Sequence, residues 1–339
     1  MINIILQNLE SLFKKNNYEI LEFHSIDNRN RFCFDFLIKK GDLFFIVKAF
    51  SNIDNLDQEK MGDIKSLCLL LNCNPLLIGI KNRYNNLEDD TIYIRNGLPI
   101  VNIKTIKAVI ERGIYPHILC KKRRIIFMDG NLMKKLRVQK NISRKDISEK
   151  IGVTKRTVCS YENESMRPSQ KIAEQILKIL ENKSIFRNIN LFEWQIKDQF
   201  DKERSEEARE LSEFESELQD IFNHLGISTF WYKKGQVPFE LSLFSSSKDN
   251  TLGIDQGDNF YPLFSGVSQE NDNDKITKLN INNLVKFANL FHKNALFIVE
   301  NDFKIPKFFE KSHIPIVKLK NLENLDDETD FKIEIFKEN

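Results

Sequence analysis

The residues best equipped to recognise another molecule lie in one stretch, Asn131 to Leu180. Lys155, Arg156, Thr157 and Ser160 fall within six positions of each other. Lysine and arginine donate to guanine O6 and N7, and serine and threonine hydroxyls bond to any base edge. The spacing predicts Lys155, Arg156 and Ser160 reaching base edges from one helix, with Thr157 beside them. Ser143, Arg144, Asn163 and Arg167 are suited instead to phosphates, because helix N-terminal N–H groups and guanidinium forks favour anions.

Those side chains need elements that aim them, and the stretch reads as four short helices. Leu132, Leu136 and Val138 predict an apolar side for the first. Ser143 opens the second with Asp146 three residues on, a variant of the capping box, while Ile147 and Ile151 face inward. Gly152 stops it at a left-handed position and Val153 plugs the turn. Thr154 caps the third, Lys155 to Asn163, which buries Val158 and Tyr161. The fourth, Ser169 to Leu180, aligns Ile172, Ile176, Leu177 and Leu180. This is the layout of a helix-turn-helix, whose second helix enters the DNA major groove. Charge agrees: Lys121 to Arg187 holds 18 Lys+Arg against 7 Asp+Glu, whereas the whole chain carries +2. A positive island in an otherwise acidic chain is an electrostatic footprint for phosphate.

The stretch resembles the Cro and lambda-repressor-like (XRE) helix-turn-helix family through Ser143, Ile147, Gly152-Val153-Thr154, Val158, Tyr161-Glu162-Asn163 and Pro168. It departs from the family after Asn163, where Glu164 replaces the usual glycine. That predicts a different closure of the recognition helix.

The chain has 339 residues, 41% hydrophobic with 27 Phe, enough for two or three packed domains. Its five cysteines, Cys33, Cys68, Cys73, Cys120 and Cys159, form no Cys-x-x-Cys, and its five histidines show no ligand spacing. They read as reduced thiols and ordinary imidazoles, with no metal expected. No Gly-x-Gly-x-x-Gly or P-loop is present, so no cofactor is expected. No signal peptide or run of the ~18 apolar residues that span a bilayer occurs, which predicts a cytoplasmic protein away from membranes.

In order, the chain reads as a helix to Asn17, a strand at Tyr18–His24, and a hairpin of 31–38 and 43–50 turning at Gly41. A helix at 57–71, a buried strand at 75–80, strands at 91–94 and 99–103, and a helix at 105–112 follow. Lys121 to Arg124 is a basic run leading into a strand at 123–128. After Arg187 the balance turns acidic, and Glu206 to Leu225 reads as a helix with a Leu211, Phe214, Leu218, Ile221 and Phe222 stripe.

The last third echoes the first. Ser66–Ile80 aligns with Lys286–Glu300, and Gly97–Ile106 with His313–Leu322. Glu10–Ile20 aligns with Gln219–Thr229, and FDFLI around Asp35 with FELSL around Glu240. Each copy reads helix, three strands, helix and further strands, an order that resembles the restriction-endonuclease-like (PD-(D/E)xK) core. That resemblance implies an Asp, an acid and a Lys holding Mg²⁺ and water. Asp35 and Lys48 stand at two of these places, but Ile46 replaces the acid. In the second copy Glu240 could replace the Asp, yet Thr251–Asp255 supplies no lysine. Without a hard anionic ligand the site is expected to have no catalytic residues, and Asp35 and Lys48 read as a relic ion pair or as surface residues.

Over nearly its full length the chain resembles a family of archaeal HTH-type transcriptional regulatory proteins. FDFLIKKGDLFFIVKAFSNID, IIFMDGNLMKKLR, NLVKFANLFHKNALFIVE and IPIVKLKNL carry the likeness. It implies a sequence-specific regulator of archaeal source bound to double-stranded DNA. The expected architecture is α/β, with two restriction-endonuclease-like domains flanking an all-α lambda-repressor-like helix-turn-helix. Expected boundaries are 1–118 and 119–187 for the first two domains, 188–209 for an acidic helical linker, and 210–339 for the second α/β domain. One helix-turn-helix reads a short half-site, which favours a homodimer on a palindrome. The competing readings are a divergent metal-dependent nuclease and a protein-binding adaptor.

Overall fold

The structure, a computed structural model, describes residues 2–23, 32–121, 123–194, 196, 210–232, 235–245, 260–269, 274–306 and 314–336. Helix α1 (Ile2–Lys15) buries Leu9, Leu12 and Phe13, the positions its helical period selects. It precedes β1 (Glu19–Leu21), β2 (Phe36–Lys40) and β3 (Leu43–Asn52). Gly41, at φ +60°, makes the expected turn between β2 and β3. Residues 33–35 are bends, so β2 starts five residues later than its apolar run suggested. Next come α2 (Gln58–Leu70), β4 (Asn74–Lys81), β5 (Thr91–Arg95), β6 (Leu98–Val101) and α3 (Ile103–Arg112). The strands β7 (Ile118–Cys120) and β8 (Arg124–Ile126) complete an eight-stranded sheet of order β1-β2-β3-β4-β6-β5-β7-β8. β3, β4 and β6 run parallel, and β4 is apolar throughout its middle, as a strand covered on both faces must be.

The helix-turn-helix follows: α4 (Gly130–Gln139), α5 (Arg144–Ile151), α6 (Lys155–Glu162) and α7 (Gln170–Leu180). Beyond it lie α8 (Glu213–His224), β9 (Ile227–Trp231), β10 (Leu241–Ser245), β11 (Leu263–Ser268), α9 (Asp274–Phe291), β12 (Ala295–Val299) and β13 (Ile316–Lys318). The chain ends in α10 (Leu319–Leu322) and α11 (Glu328–Phe336). The second sheet has the order β13-β12-β11-β10-β9. β11, β12 and β13 are parallel while β9 and β10 are antiparallel. This repeats the succession β1-β2-β3-β4-β6 of the first sheet, so the repeat in the sequence is also a repeat of topology. The apolar stripe predicted for this helix is used accordingly: α8 buries Phe214, Leu218 and Phe222 on Ile227, Leu241, Leu243 and Leu296.

The chain forms two compact units, 1–20 with 38–56 and 74–196, and 21–37 with 57–73 and 197–339. The boundaries expected at 118 and 209 do not coincide with them, for two physical reasons. First, β7 and β8 extend the N-terminal sheet, yet their Ile118 and Ile126 lie in the helix-turn-helix core. Second, Phe23 and Phe34 pack edge to face at 5.7 Å, and Phe23 meets Phe287 of α9 at 5.7 Å. Phe287 in turn sits 5.3 Å from Phe264. The expected linker begins as structure too: residues 191–193 form a 3₁₀ turn whose Phe192 packs 5.1 Å from Phe45, and Asn74 Nδ2 donates to its carbonyl. The rest of that linker, 197–209, the start of the helix expected from Glu206, and Thr251–Asp255 lie outside the described residues.

Three cysteines are buried, two are half-buried, and none forms a disulfide.

Candidate nucleic-acid interface

The helix-turn-helix owes its shape to its caps. Asp129 accepts from Leu132 N at the start of α4. Ser143 accepts from Asp146 N while the Asp146 carboxylate accepts from Ser143 N, the reciprocal box the sequence predicts. The Ser143 hydroxyl and backbone N–H, both turned to the Asp146 carboxyl, hold it below its usual range. Gly152 ends α5 at φ +69°, and Thr154 Oγ1 accepts from Thr157 N to start α6. The core beneath joins Met133, Ile147, Ile151, Val158, Tyr161, Ala173, Ile176 and Leu180 to Ile118, Ile126 and Met128. Val138, expected on the apolar side of α4, is 56% exposed. The helical turn of about 100° per residue puts Met133 inward in its place.

On α6, Lys155 and Arg156 are exposed, as is Asn163 just beyond its end, while Thr157 and Ser160 are half-buried. Thr154 and Thr157 are less available than the sequence implied, because their hydroxyls bond each other at 2.9 Å. Ser143 is exposed but spends its oxygen on the cap. Asn163 Nδ2 points at Cys159 Sγ, 3.5 Å away. Arg167 is exposed and lays its guanidinium over Phe127 at 3.7 Å, a stacked position that leaves its in-plane donors open to an anion.

Arg144 has a partner the sequence did not disclose. Glu162, 2% exposed, accepts from Arg144 Nε at 2.7 Å and from Arg137 Nε at 2.5 Å. One buried carboxylate thus ties α4, α5 and α6 together, and its hydrogen bond pushes the Arg144 pKa up. The signal was present as Glu162 inside an apolar helix face, but its partners are 18 and 25 residues away.

Glu164 does not alter the helix ending as expected. It adopts φ +59°, the left-handed geometry a glycine would take, and its N–H bonds to the Tyr161 carbonyl at 3.2 Å. The strain is offset by its carboxylate, which accepts from Gly130 N at 3.1 Å and Arg187 Nη2 at 2.6 Å. That places an anion at the N-terminus of α4, where the helix dipole favours one.

At the nuclease-like positions, Asp35 is half-buried just before β2, Ile46 is fully buried in β3, and Lys48 is 7% exposed. Lys48 is therefore not a surface residue. Glu240 is also buried, accepting from Val267 N at 3.2 Å. Among the described residues no group of three or more His, Cys, Asp or Glu side chains is placed to hold a metal ion. No helix among them is long and apolar enough to cross a membrane.

Comparison with known proteins matches residues 2–116 to a PD-(D/E)XK superfamily domain and residues 133–185 to a helix-turn-helix domain. Three proteins that carry the name "Putative HTH-type transcriptional regulatory protein" are similar to the chain. That of Methanocaldococcus jannaschii is 26% identical over 88% of this chain and 86% of its own length. That of Methanobrevibacter smithii is 27% identical over 94% and 93%. That of Archaeoglobus fulgidus is 26% identical over 71% and 74%. No solved structure matches the chain. A PD-(D/E)XK superfamily domain and a helix-turn-helix domain are thus joined in one α/β chain, homologous over most of its length to archaeal proteins named as HTH-type transcriptional regulators.

Proposed function

We propose that the chain is a sequence-specific DNA-binding transcriptional regulator that places α6 in the major groove. The observation that carries this reading is the exposed Lys155 and Arg156 at the N-terminal end of a doubly capped α6, inside a stretch with 18 Lys+Arg against 7 Asp+Glu. The N-terminal end of the second helix of such a motif is the end that meets base edges. Lys155, Arg156 and Ser160 read bases, with Thr157 beside them. Ser143, Asn163 and Arg167 hold phosphates, and Arg144 does so with the guanidinium nitrogens that Glu162 leaves open. Thr154 contributes by fixing the start of α6. A homodimer on a palindrome, in the cytoplasm where its DNA lies, completes the reading. The names borne by the homologues support it.

The test is selection of duplexes from a random pool, followed by mobility-shift titration of the selected duplex and of random DNA. Arg156→Ala relaxes the preference at one base pair and costs roughly 1–3 kcal/mol on the selected duplex alone. If Arg156→Ala leaves binding to both duplexes unchanged, α6 is not the reading head. Light scattering on the complex checks the dimer, which a single copy per duplex excludes.

The PD-(D/E)XK match over residues 2–116 favours a second reading, a divergent metal-dependent nuclease steered by the helix-turn-helix. Incubation with plasmid and Mg²⁺ or Mn²⁺ separates the two. Metal-dependent nicking that Lys48→Ala abolishes would establish the nuclease.

A further inference from the structure

The basic run before the helix-turn-helix, outside the residues matched to that domain, is built into a hairpin. Ile118, Leu119 and Cys120 pair antiparallel with Ile126, Ile125 and Arg124, which leaves Lys121 and Arg123 at the turn. Both are exposed. The hairpin does not simply end the sheet. Its Ile118 and Ile126 are packed in the helix-turn-helix core. Ile126 N donates to the Pro168 carbonyl at 3.1 Å, and Ile125 bridges Ser169. Arg124 links two elements, donating to Gln170 at the start of α7 and pairing with Glu88 of the loop between β4 and β5.

The hairpin is thereby held against Pro168–Gln170, the residues that lead into α7. Arg123 is close enough to α6 that its charge acts on Tyr161, pulling back a hydroxyl that burial pushes up. Arg124 is committed to Glu88, so its task is to hold the hairpin; among the described residues of the run, exposed Lys121 and Arg123 are left to meet a polyanion.

We propose that Lys121 and Arg123 form a second DNA contact, on backbone phosphates flanking the bases read by α6. This rests on the DNA-binding reading and deepens it: the sheet of the PD-(D/E)XK superfamily domain lends a hairpin to the DNA-binding surface. Exposed Lys121 and Arg123 beside a paired hairpin, in a run 121–124 that has no base-reading amide, suit phosphate, which carries affinity and register rather than sequence.

The test uses the full chain, with fluorescence anisotropy on a labelled random-sequence duplex and on the duplex selected from a random pool, across a NaCl series. Each phosphate contact contributes about 0.9 to the slope of log affinity against log salt, so Lys121→Ala with Arg123→Ala lowers the slope by about 1.8. Both duplexes weaken by the same factor and the selected sequence stays as it was. Lys121→Arg with Arg123→Lys restores wild-type binding. An alanine pair that binds like wild type, while Arg156→Ala still loses preference, overturns the hairpin contact and leaves the α6 reading standing. A change in the selected sequence overturns the phosphate assignment. A wild-type chain with no salt-dependent affinity for either duplex overturns the DNA reading, and the hairpin proposal with it.

Discussion

Gly130 is where α4 begins against the far end of α6, and replacing it with alanine sets two effects against each other. A Cβ there would lie 2.2 Å from the Glu162 carbonyl oxygen, 2.6 Å from its carbon and 2.8 Å from the Tyr161 oxygen. All three neighbours are main-chain atoms, so no rotamer change relieves them. The helices must part by about 1 Å, and overpacking of this kind costs about 1–3 kcal/mol. Helix propensity works the other way, favouring Ala over Gly by up to about 1 kcal/mol. The clash wins, leaving the helix-turn-helix destabilised by about 2 kcal/mol. Native-state hydrogen exchange at Val158 and Tyr161 reads this locally, whereas a global melt would mix the two compact units. The expected acceleration is roughly 30-fold, since 1.4 kcal/mol is tenfold. Gly79→Ala is the comparator: its Cβ would meet Ile53 Cγ2 at 2.5 Å and Leu87 Cδ1 at 2.7 Å, ends of side chains that can turn away. If Gly130→Ala slows exchange in α6 or leaves it unchanged, propensity has outweighed packing and the close approach of α4 to α6 is not a constraint.

Arg137→Ala leaves the buried Glu162 with one partner and should cost about 3 kcal/mol by urea unfolding, in the range for breaking a buried pair. Arg144→Ala should cost less than half of that, its side chain being 30% exposed; equal losses would show that the two arginines share the carboxylate evenly. Glu164→Gly relieves the left-handed strain but frees the Gly130 N–H and leaves Arg187 only its longer pair with Asp129, so exchange at the Gly130 amide should accelerate while the α6 helix persists by NMR. The lowered Asp146 pKa means that the capping box contributes stability above the ordinary carboxylate value. That contribution is lost as pH falls through the lowered folded value. Carboxyl chemical shifts should therefore show Asp146 titrating below the ordinary aspartate value, and Ser143→Ala should move it back up.

The local chemistry of the helix-turn-helix was legible in the sequence because caps and turns act over three or four residues. Ser143 with Asp146, Gly152 and Thr154 each named their role, and the structure uses each of them so. The repeat was legible as well, since apolar strands and their order survive where identity does not. Glu162 was not, because a buried carboxylate depends on guanidiniums supplied from other helices. Val138 and Met133 exchanged places because α4 has apolar residues on more than one side, and packing chose between them.

Short-range bonding and alternation of apolar residues were thus enough to specify the helices of the helix-turn-helix and the doubled α/β plan. Tertiary structure alone decided which groups those elements bring together. It put Lys48 out of solvent, gave Glu164 a partner that lets it stand where glycine usually does, and carried β7 and β8 into the core of the helix-turn-helix. The reason is physical: a cap is satisfied by the chain's own neighbours, but a buried charge or a shared core is satisfied only by residues far away in sequence, whose arrival no local pattern records.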